Sequence, residues 1–227
     1  MQLNSFSQNA FSHVFIDIGK IKSIIQSSHG DQMLIGLTGG IASGKTTVAE
    51  MFRRCGAQII DFDILSREAV ELGTKGLADI TASFGFTILD KNGYLDRKAL
   101  SQIVFQDKEK RRELERVIHP AMFDLFCQKV KEAASENVKT AIIAVAPLLI
   151  EMNLQILFNK VIVVYVSSDI QHKRLMQREK IDQKRADAMI ESQLPIETKK
   201  KYADFLIDNS GMVENTLKQV QDVWKKL

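Results

Sequence analysis

The eight residues Gly39-Gly40-Ile41-Ala42-Ser43-Gly44-Lys45-Thr46 fit G-x-x-x-x-G-K-[ST], and no other stretch limits the fold of this chain as tightly. A polyphosphate can lie against backbone N–H groups only where the loop wraps around it, and glycines permit that closeness. Such a loop should leave a strand and open a helix, because the helix N-terminus offers more N–H groups and a positive dipole end to the same anion. Both flanks are present. Leu34-Ile35-Gly36-Leu37 is a short apolar run ending in Thr38-Gly39-Gly40, as a buried parallel strand entering a loop would be. The helix predicted from about Lys45 to Cys55 places Val48, Met51 and Phe52 at helical spacing. Lys45 can then bridge two phosphates, and the Thr46 hydroxyl can ligate Mg²⁺.

The rest of the chain continues the same alternation. Gln58-Ile59-Ile60 reads as a second strand opening onto Asp61-Phe62-Asp63, residues 140–145 and 161–166 as two more, and Phe205-Leu206-Ile207 as a fifth. Residues 64–136 read mostly as helix, broken by a turn at Asp90-Lys91-Asn92-Gly93, with Asp96 and Asp107 where helix N-caps belong. Tyr94, Phe105, Leu114 and Phe123 read as helical core there. Residues 169–180 and 182–193 form two charged helices, closed by Pro195. Strands alternating with helices imply an α/β fold with a parallel sheet covered on both faces.

Composition narrows the class. A chain of 227 residues can bury about 70% of its unfolded surface, so neither disulfides nor a structural metal is required. Lys and Arg total 31 against 28 Asp and Glu, which is no charge balance for coating nucleic acid. Pro147 interrupts the longest apolar run, residues 141–150, and a membrane span needs about 20 such residues. Cys55 and Cys127 form neither a disulfide framework nor a C-x-x-C pair, so a reducing, cytoplasmic setting is expected. Residues 1–32 differ in character from the rest of the chain: they are rich in Ser, Gln and Asn, with scattered apolar side chains and no Arg. Asp17 breaks the apolar run that a secretory signal needs. The segment is expected to be a weakly ordered extension, with a short amphipathic helix near residues 14–25 as the alternative.

A phosphate loop does not choose a reaction. A guanine-binding switch would also carry N-K-x-D, and the nearest match, Asn159-Lys160-Val161-Ile162, lacks its Asp. The D-x-x-G matches at residues 90–93 and 208–211 read as turn chemistry. Asp61 and Asp63 alternate at a strand end, where α/β sheets bind ligands. One of them could take a proton from an attacking hydroxyl while the other holds hydrated Mg²⁺; equally, Asp63 could cap the next helix. Arg174 and Arg178 share one face of a predicted helix and could neutralise a transferring phosphoryl group, or pair at the surface with neighbours such as Glu179.

The run Gly36–Thr46 resembles the start of the dephospho-CoA kinase family. So do Ile60-Asp61-Phe62-Asp63 with Arg67, Phe84-Gly85, Gly93 with Leu95-Asp96-Arg97, Ile118-His119-Pro120, and Pro147-Leu148-Leu149-Ile150-Glu151. Gln171 with Arg174 and Arg178, Gln193, and the final Ala203-Asp204-Phe205-Leu206-Ile207-Asp208-Asn209 continue the match, in order, over residues 33–227. Ala42 stands where the family usually has Gly, and Ile150 where it often has Phe. The resemblance implies a P-loop NTPase three-layer α/β sandwich with a five-stranded parallel sheet, an inserted helical substrate domain and a helical lid. It divides the chain into a nucleotide core (33–62 and 136–227), an acceptor-binding insert (63–135) and a lid (169–195). It implies transfer of the ATP γ-phosphoryl to the ribose 3′-hydroxyl of dephospho-CoA, the last step of coenzyme A synthesis, with Mg²⁺. ATP would be held by Gly39, Gly40, Ile41, Ala42, Ser43, Gly44, Lys45, Thr46, Thr47, Arg174 and Arg178. Asp63, Lys45 and Arg174 would act in catalysis, Thr46 and Asp61 on the metal, and Asp63, Arg67 and His119 on the acceptor, with a merely packed His119 as the equal alternative. The expected protein is a monomer or weak homo-oligomer acting on a small molecule, without nucleic acid or membrane partners. Another small-molecule P-loop kinase, of nucleoside or nucleotide type, and a non-catalytic nucleotide sensor are the rival readings.

Overall fold

Strands that alternate aliphatic side chains between two buried faces read as unbroken apolar runs, and the centre of this protein is built from three of them. A computed structural model describes residues 17–28, 32–136 and 140–227. Five strands, β1 (Leu34–Gly39), β2 (Gln58–Asp61), β3 (Ile142–Val145), β4 (Lys160–Tyr165) and β5 (Phe205–Asp208), form one sheet in the order β2-β3-β1-β4-β5. Every pairing is parallel. The register sets Leu37 beside both Val145 and Ile162, Asp61 beside Val145, and Tyr165 beside Asp208. The carboxyl ends of the strands therefore open on one edge of the sheet, where an open α/β fold keeps its ligand crevice.

Ile35, Leu37, Ile143, Val145, Ile162 and Val164 face one way, onto α2 (Lys45–Arg54) and α10 (Val213–Trp224) through Val48, Phe52, Val220 and Val223. Leu34, Ile142, Ala144, Val161 and Val163 face the other way, onto α3 (Phe62–Glu68) and α6 (Lys108–Glu136) through Phe62, Leu65, Phe123, Phe126 and Val130. Gly36 falls on this second face by alternation, where an added Cβ would come within 2.5 Å of Leu149 Cδ1 and 2.8 Å of Phe158 Cδ2 unless those side chains shifted.

Between β2 and β3 lie α3, α4 (Lys75–Phe84), α5 (Arg97–Gln106) and α6, which runs 29 residues through Pro120. The turn at residues 90–93 is closed by an antiparallel bridge between Leu89 and Leu95, with Gly93 at φ 83°. Asp96 caps α5 through Lys98 N and Ala99 N, and Asp107 accepts from Glu109 N and Lys110 N at the start of α6. After β4 come α7 (Ser168–Glu179), α8 (Gln183–Glu191) and α9 (Ile196–Lys200). No helix among the described residues is long and apolar enough to cross a membrane.

The structure corrects three expectations. Residues 18–28, expected within a weakly ordered extension with an amphipathic helix near residues 14–25 as the alternative, follow the alternative: they form α1 (Ile18–Ser28), which packs on α6 and on the tight turn Leu154–Leu157. Ile21 and Ile25 are 8% and 1% exposed, at i and i+4 on one face, and that buried stripe orders the helix. Residues 1–16 lie outside the described part. Tyr94 and Phe105, expected in the core, are 53% and 82% exposed, whereas Phe123 is buried as expected. Finally, the cap of α3 is Asp61, not Asp63.

Candidate active site

The phosphate loop leaves β1 at Gly39 and enters α2 at Gly44, which has φ 89°. A Cβ at Gly44 would stand 2.2 Å from Asn209 Nδ2, so the position is closed to any side chain by both conformation and space. Ala42 also has positive φ, 57°, where glycine would be unstrained. The first N–H groups of α2 have no intrahelical acceptor and point into the crevice. Lys45 Nζ folds back onto the loop, donating to Gly39 O (3.2 Å) and Gly40 O (3.0 Å). Loss of water around this ammonium, reinforced by the nearby charge of Lys199 and Arg178 and opposed by Asp63 and Glu151, lowers its pKa to about 8. A cation held this way gains most from an arriving polyphosphate.

Two glutamines from the region after β4 pin the tip of the loop. Gln171 Nε2 on α7 donates to Ile41 O at 3.0 Å, and Gln193 Oε1 accepts from Ile41 N at 3.0 Å. Asn209, just past β5, donates to Ser43 O at 2.8 Å, and its own side-chain oxygen accepts from the Thr216 hydroxyl at 3.0 Å. Arg174 donates to Asn209 O at 3.0 Å, which holds its guanidinium at the loop's flank. Arg178 reaches the same crevice electrostatically, through its effect on Lys45, while its Nε donates to Glu179 at 2.8 Å. For Arg178, then, the surface pairing expected from the sequence and the crevice-facing charge coexist.

Across the crevice, β2 passes into α3. Phe62 is buried against Phe126 and Phe123, ring centroids 4.8 and 5.7 Å away, and this anchor leaves Asp61 and Asp63 outside the core on either side. Asp61 Oδ1 accepts from Asp63 N at 2.8 Å. Desolvation and the charge of Asp61 raise the pKa of Asp63, while Lys45 and Arg67 pull it back. That coupling brings Lys45, Asp61, Asp63, Arg67 and Arg178 into one electrostatic group. His119 sits mid-way along α6, its side chain makes no hydrogen bond or ion pair with a described residue, and burial lowers its pKa.

The donor set suits Mg²⁺, which keeps several waters and binds through one or two protein oxygens plus phosphate. Thr46 is exposed at the first turn of α2, and Asp61 has a second carboxylate oxygen beyond the one that caps α3. No cluster of three or more His, Cys, Asp or Glu able to hold an ion by itself occurs among the described residues.

The sequence pattern points to the Lys, the two Asp and the two Arg, but gives no role to Gln171, Gln193 or Asn209, which are visible there only as parts of matched motifs. The two D-x-x-G matches are turns as expected: Asp90 Oδ1 accepts from Asn92 N and Tyr94 N, and Asp208 Oδ1 from Ser210 N.

Comparison with known proteins agrees with this geometry. A family model described as Dephospho-CoA kinase matches residues 33–215. The dephospho-CoA kinase of Bacillus licheniformis is 40% identical over 198 residues, covering 86% of this chain and 98% of that protein. That of Listeria innocua is 42% identical over 186 residues, covering 82% and 92%. Among solved structures, the dephospho-CoA kinase from Campylobacter jejuni is 30% identical, covers 86% of this chain and 97% of its own, and superposes with a TM-score of 0.61. TT1252 from Thermus thermophilus, 28% identical, covers 86% and 98% with a TM-score of 0.73.

Proposed function

The chain belongs to the dephospho-CoA kinase family, and from that premise we propose how its crevice works. It is an ATP-dependent kinase that transfers the γ-phosphoryl group to the ribose 3′-hydroxyl of dephospho-CoA, giving coenzyme A and ADP in coenzyme A biosynthesis. Both rival readings, a nucleoside-type kinase and a nucleotide sensor, give way to it.

The observation that carries the assignment of roles is that the parallel sheet brings the carboxyl ends of β1 and β2 to one edge, so that Lys45, after β1, and Asp63, after β2, flank one crevice, near enough for each charge to shift the other's proton affinity. On this reading the phosphates of ATP lie in the loop from Gly39 to Thr47, and Lys45 leaves the Gly39 and Gly40 carbonyls to meet them. The ribose hydroxyl is delivered to Asp63. As the oxygen–phosphorus bond forms and the bond to the β-phosphate oxygen breaks, the hydroxyl proton passes to the Asp63 carboxylate. The raised pKa of Asp63 suits a group that must hold that proton and then release it. Charge left on ADP is taken up by Lys45, the N-terminus of α2 and the guanidinium groups of Arg174 and Arg178. When bound, Mg²⁺ would supply Lewis-acid stabilisation, held by the Thr46 hydroxyl and, through water, by Asp61. Arg67, one turn beyond Asp63 on α3, and His119 are assigned to the acceptor side.

The test is ADP release with dephospho-CoA beside a panel of alcohol acceptors, for the wild type and Asp63→Asn. The variant keeps its size and the Asp61 cap, so its melt should be unchanged while kcat falls about 10²–10⁴-fold. A fully active Asp63→Asn enzyme at saturating Mg²⁺ removes Asp63 from the reaction.

A further inference from the structure

Only two charged residues are buried among those described, and they face each other. Lys199, on the short helix α9, is 0% exposed; Glu151, beyond β3, is 9% exposed. Lys199 Nζ lies 2.8 Å from Glu151 Oε1 and also donates to Pro147 O at 2.9 Å. The same Glu151 oxygen accepts from Leu194 N at 3.0 Å, while Oε2 is buried with no partner among the described residues.

These contacts close a ring around the phosphate loop. The Thr38 hydroxyl, at the strand end of the loop, donates to Pro147 O at 3.3 Å. Pro147 O is held by Lys199, Lys199 by Glu151, and Glu151 by Leu194 N. The residue before Leu194 is Gln193, whose side chain accepts from Ile41 N at the loop's tip. The covalent run Thr38-Gly39-Gly40-Ile41 completes the circuit. A buried pair that leaves one carboxylate oxygen unsatisfied is a poor stabiliser, since a matched apolar pair would do as well or better. What this pair does supply is a fixed link between the exit of β3, the joint between α8 and α9, and both ends of the loop.

We propose that Lys199 is a positioning residue for ATP, closing through Glu151 and Pro147 a ring of contacts that holds the phosphate loop at its strand end and its tip. It touches no reacting atom; besides the charge it presents to Lys45, it acts through Gln193 and Thr38 on the backbone that receives the phosphates. The proposal rests on the loop being the ATP site, so its deciding measurement is ATP binding without the acceptor.

Binding of a non-hydrolysable ATP analogue is measured by titration calorimetry, without dephospho-CoA, for the wild type, Lys199→Met, Gln193→Ala and the double variant. Each single variant should weaken binding about tenfold, and the double variant hardly more, because one ring is cut twice. The KM for dephospho-CoA should stay within twofold. Glu151→Gln/Lys199→Met removes both buried charges while leaving an acceptor for Leu194 N. It should melt near the wild type yet remain weak for the analogue, whereas a purely structural pair would recover both together. If Lys199→Met does not fold, this pair of changes and Gln193→Ala carry the test. Wild-type affinity in Lys199→Met or in the charge-free double variant, unchanged affinity in Gln193→Ala, or losses that multiply overturns the proposal. A wild-type chain that binds no ATP analogue overturns the site assignment itself, which is a different failure.

Discussion

Replacing Ile25 by alanine should destabilise the enzyme without touching its chemistry. Ile25 is the most buried side chain of α1, and with Ile21 it joins the cluster formed by Phe126, Val130, Leu154 and Leu157. The substitution removes three carbons from a fully enclosed site, a change that costs about 2–5 kcal/mol in well-packed cores. The low end applies here. An eleven-residue helix has little stability of its own, and it can shift or undock before a full cavity opens beneath it. A loss of about 2–3 kcal/mol lowers Tm by about 4–12 °C in a protein of this size. Activity should survive, because α1 sits at the amino end of the sheet. Its partner turn Leu154–Leu157 leads into the start of β4, and Leu34 N at the start of β1 bonds to Asn159 Oδ1 at 2.8 Å. The crevice is at the other end of those strands. Thermal melts followed by circular dichroism, with kcat and both KM values at 25 °C, provide the test, and Lys22→Ala on the exposed face serves as control. An Ile25→Ala protein melting within 1 °C of the wild type would refute the claim that α1 belongs to the core.

The crevice yields four further expected outcomes. The free enzyme's kcat/KM for ATP should fall as pH climbs through about 8, where Lys45 loses its charge, and a flat profile to pH 10 would contradict that environment. Stability runs the other way for this group: its folded pKa lies below its unfolded value of 10.5, so the burial cost is present below pH 8 and is relieved as pH rises from about 8 to 10.5. Arg174→Ala should lower kcat more than it raises the KM for dephospho-CoA, with Arg178→Ala milder because Arg178 must first leave Glu179; a change confined to the acceptor KM would move either Arg to the acceptor site. Gly44→Ala, forced into φ 89° against Asn209, should abolish ATP binding and cost about 2 kcal/mol or more in a melt, and near-wild-type binding would mean the loop conformation is not required.

The centre of the parallel sheet was legible because β1, β3 and β4 are buried on both faces, so they appear as short aliphatic runs bounded by turn residues. The phosphate loop was legible because its constraint is local: positive φ at Gly44, backbone approach at Gly39 and a helix start at Lys45 all fall within eight residues. Asp61 and Asp63 could be placed for the same reason, being two residues apart at a strand end. Which of them caps α3 was not legible, since either side chain can reach a free N–H and only the start of the helix, fixed by the burial of Phe62, decides it. α1 was legible only as the alternative to a weakly ordered extension, for an energetic reason. Ile18, Ile21 and Ile25 do carry a helical stripe, but in a segment of polar, low-propensity residues the stripe orders only if something apolar waits to receive it. That receiver is α6, roughly a hundred residues further along, and no local pattern announces it.

The same limit explains why the supports of the loop escaped notice while the loop did not. Ile41 and Gln193 are 152 residues apart, Gln171 and Ile41 130, and Asn209 and Ser43 166. None of these pairings has a period, a spacing or a composition of its own. A glutamine on a charged helix reads as solvated surface, and a lysine in Lys199-Lys200-Lys201 reads as one of three exposed cations. Burial separates them: Lys199 is enclosed and bonded to Glu151, whereas Lys200 pairs with Glu197 at the surface. A binding loop must change its contacts when phosphate arrives, so it cannot be stabilised by packing against its own ligand-facing side. Its rigidity has to come from behind and from the flanks, through groups that the motif does not contain. In this protein those groups are the glutamines at Ile41, the asparagine at Ser43 and the buried pair beyond β3.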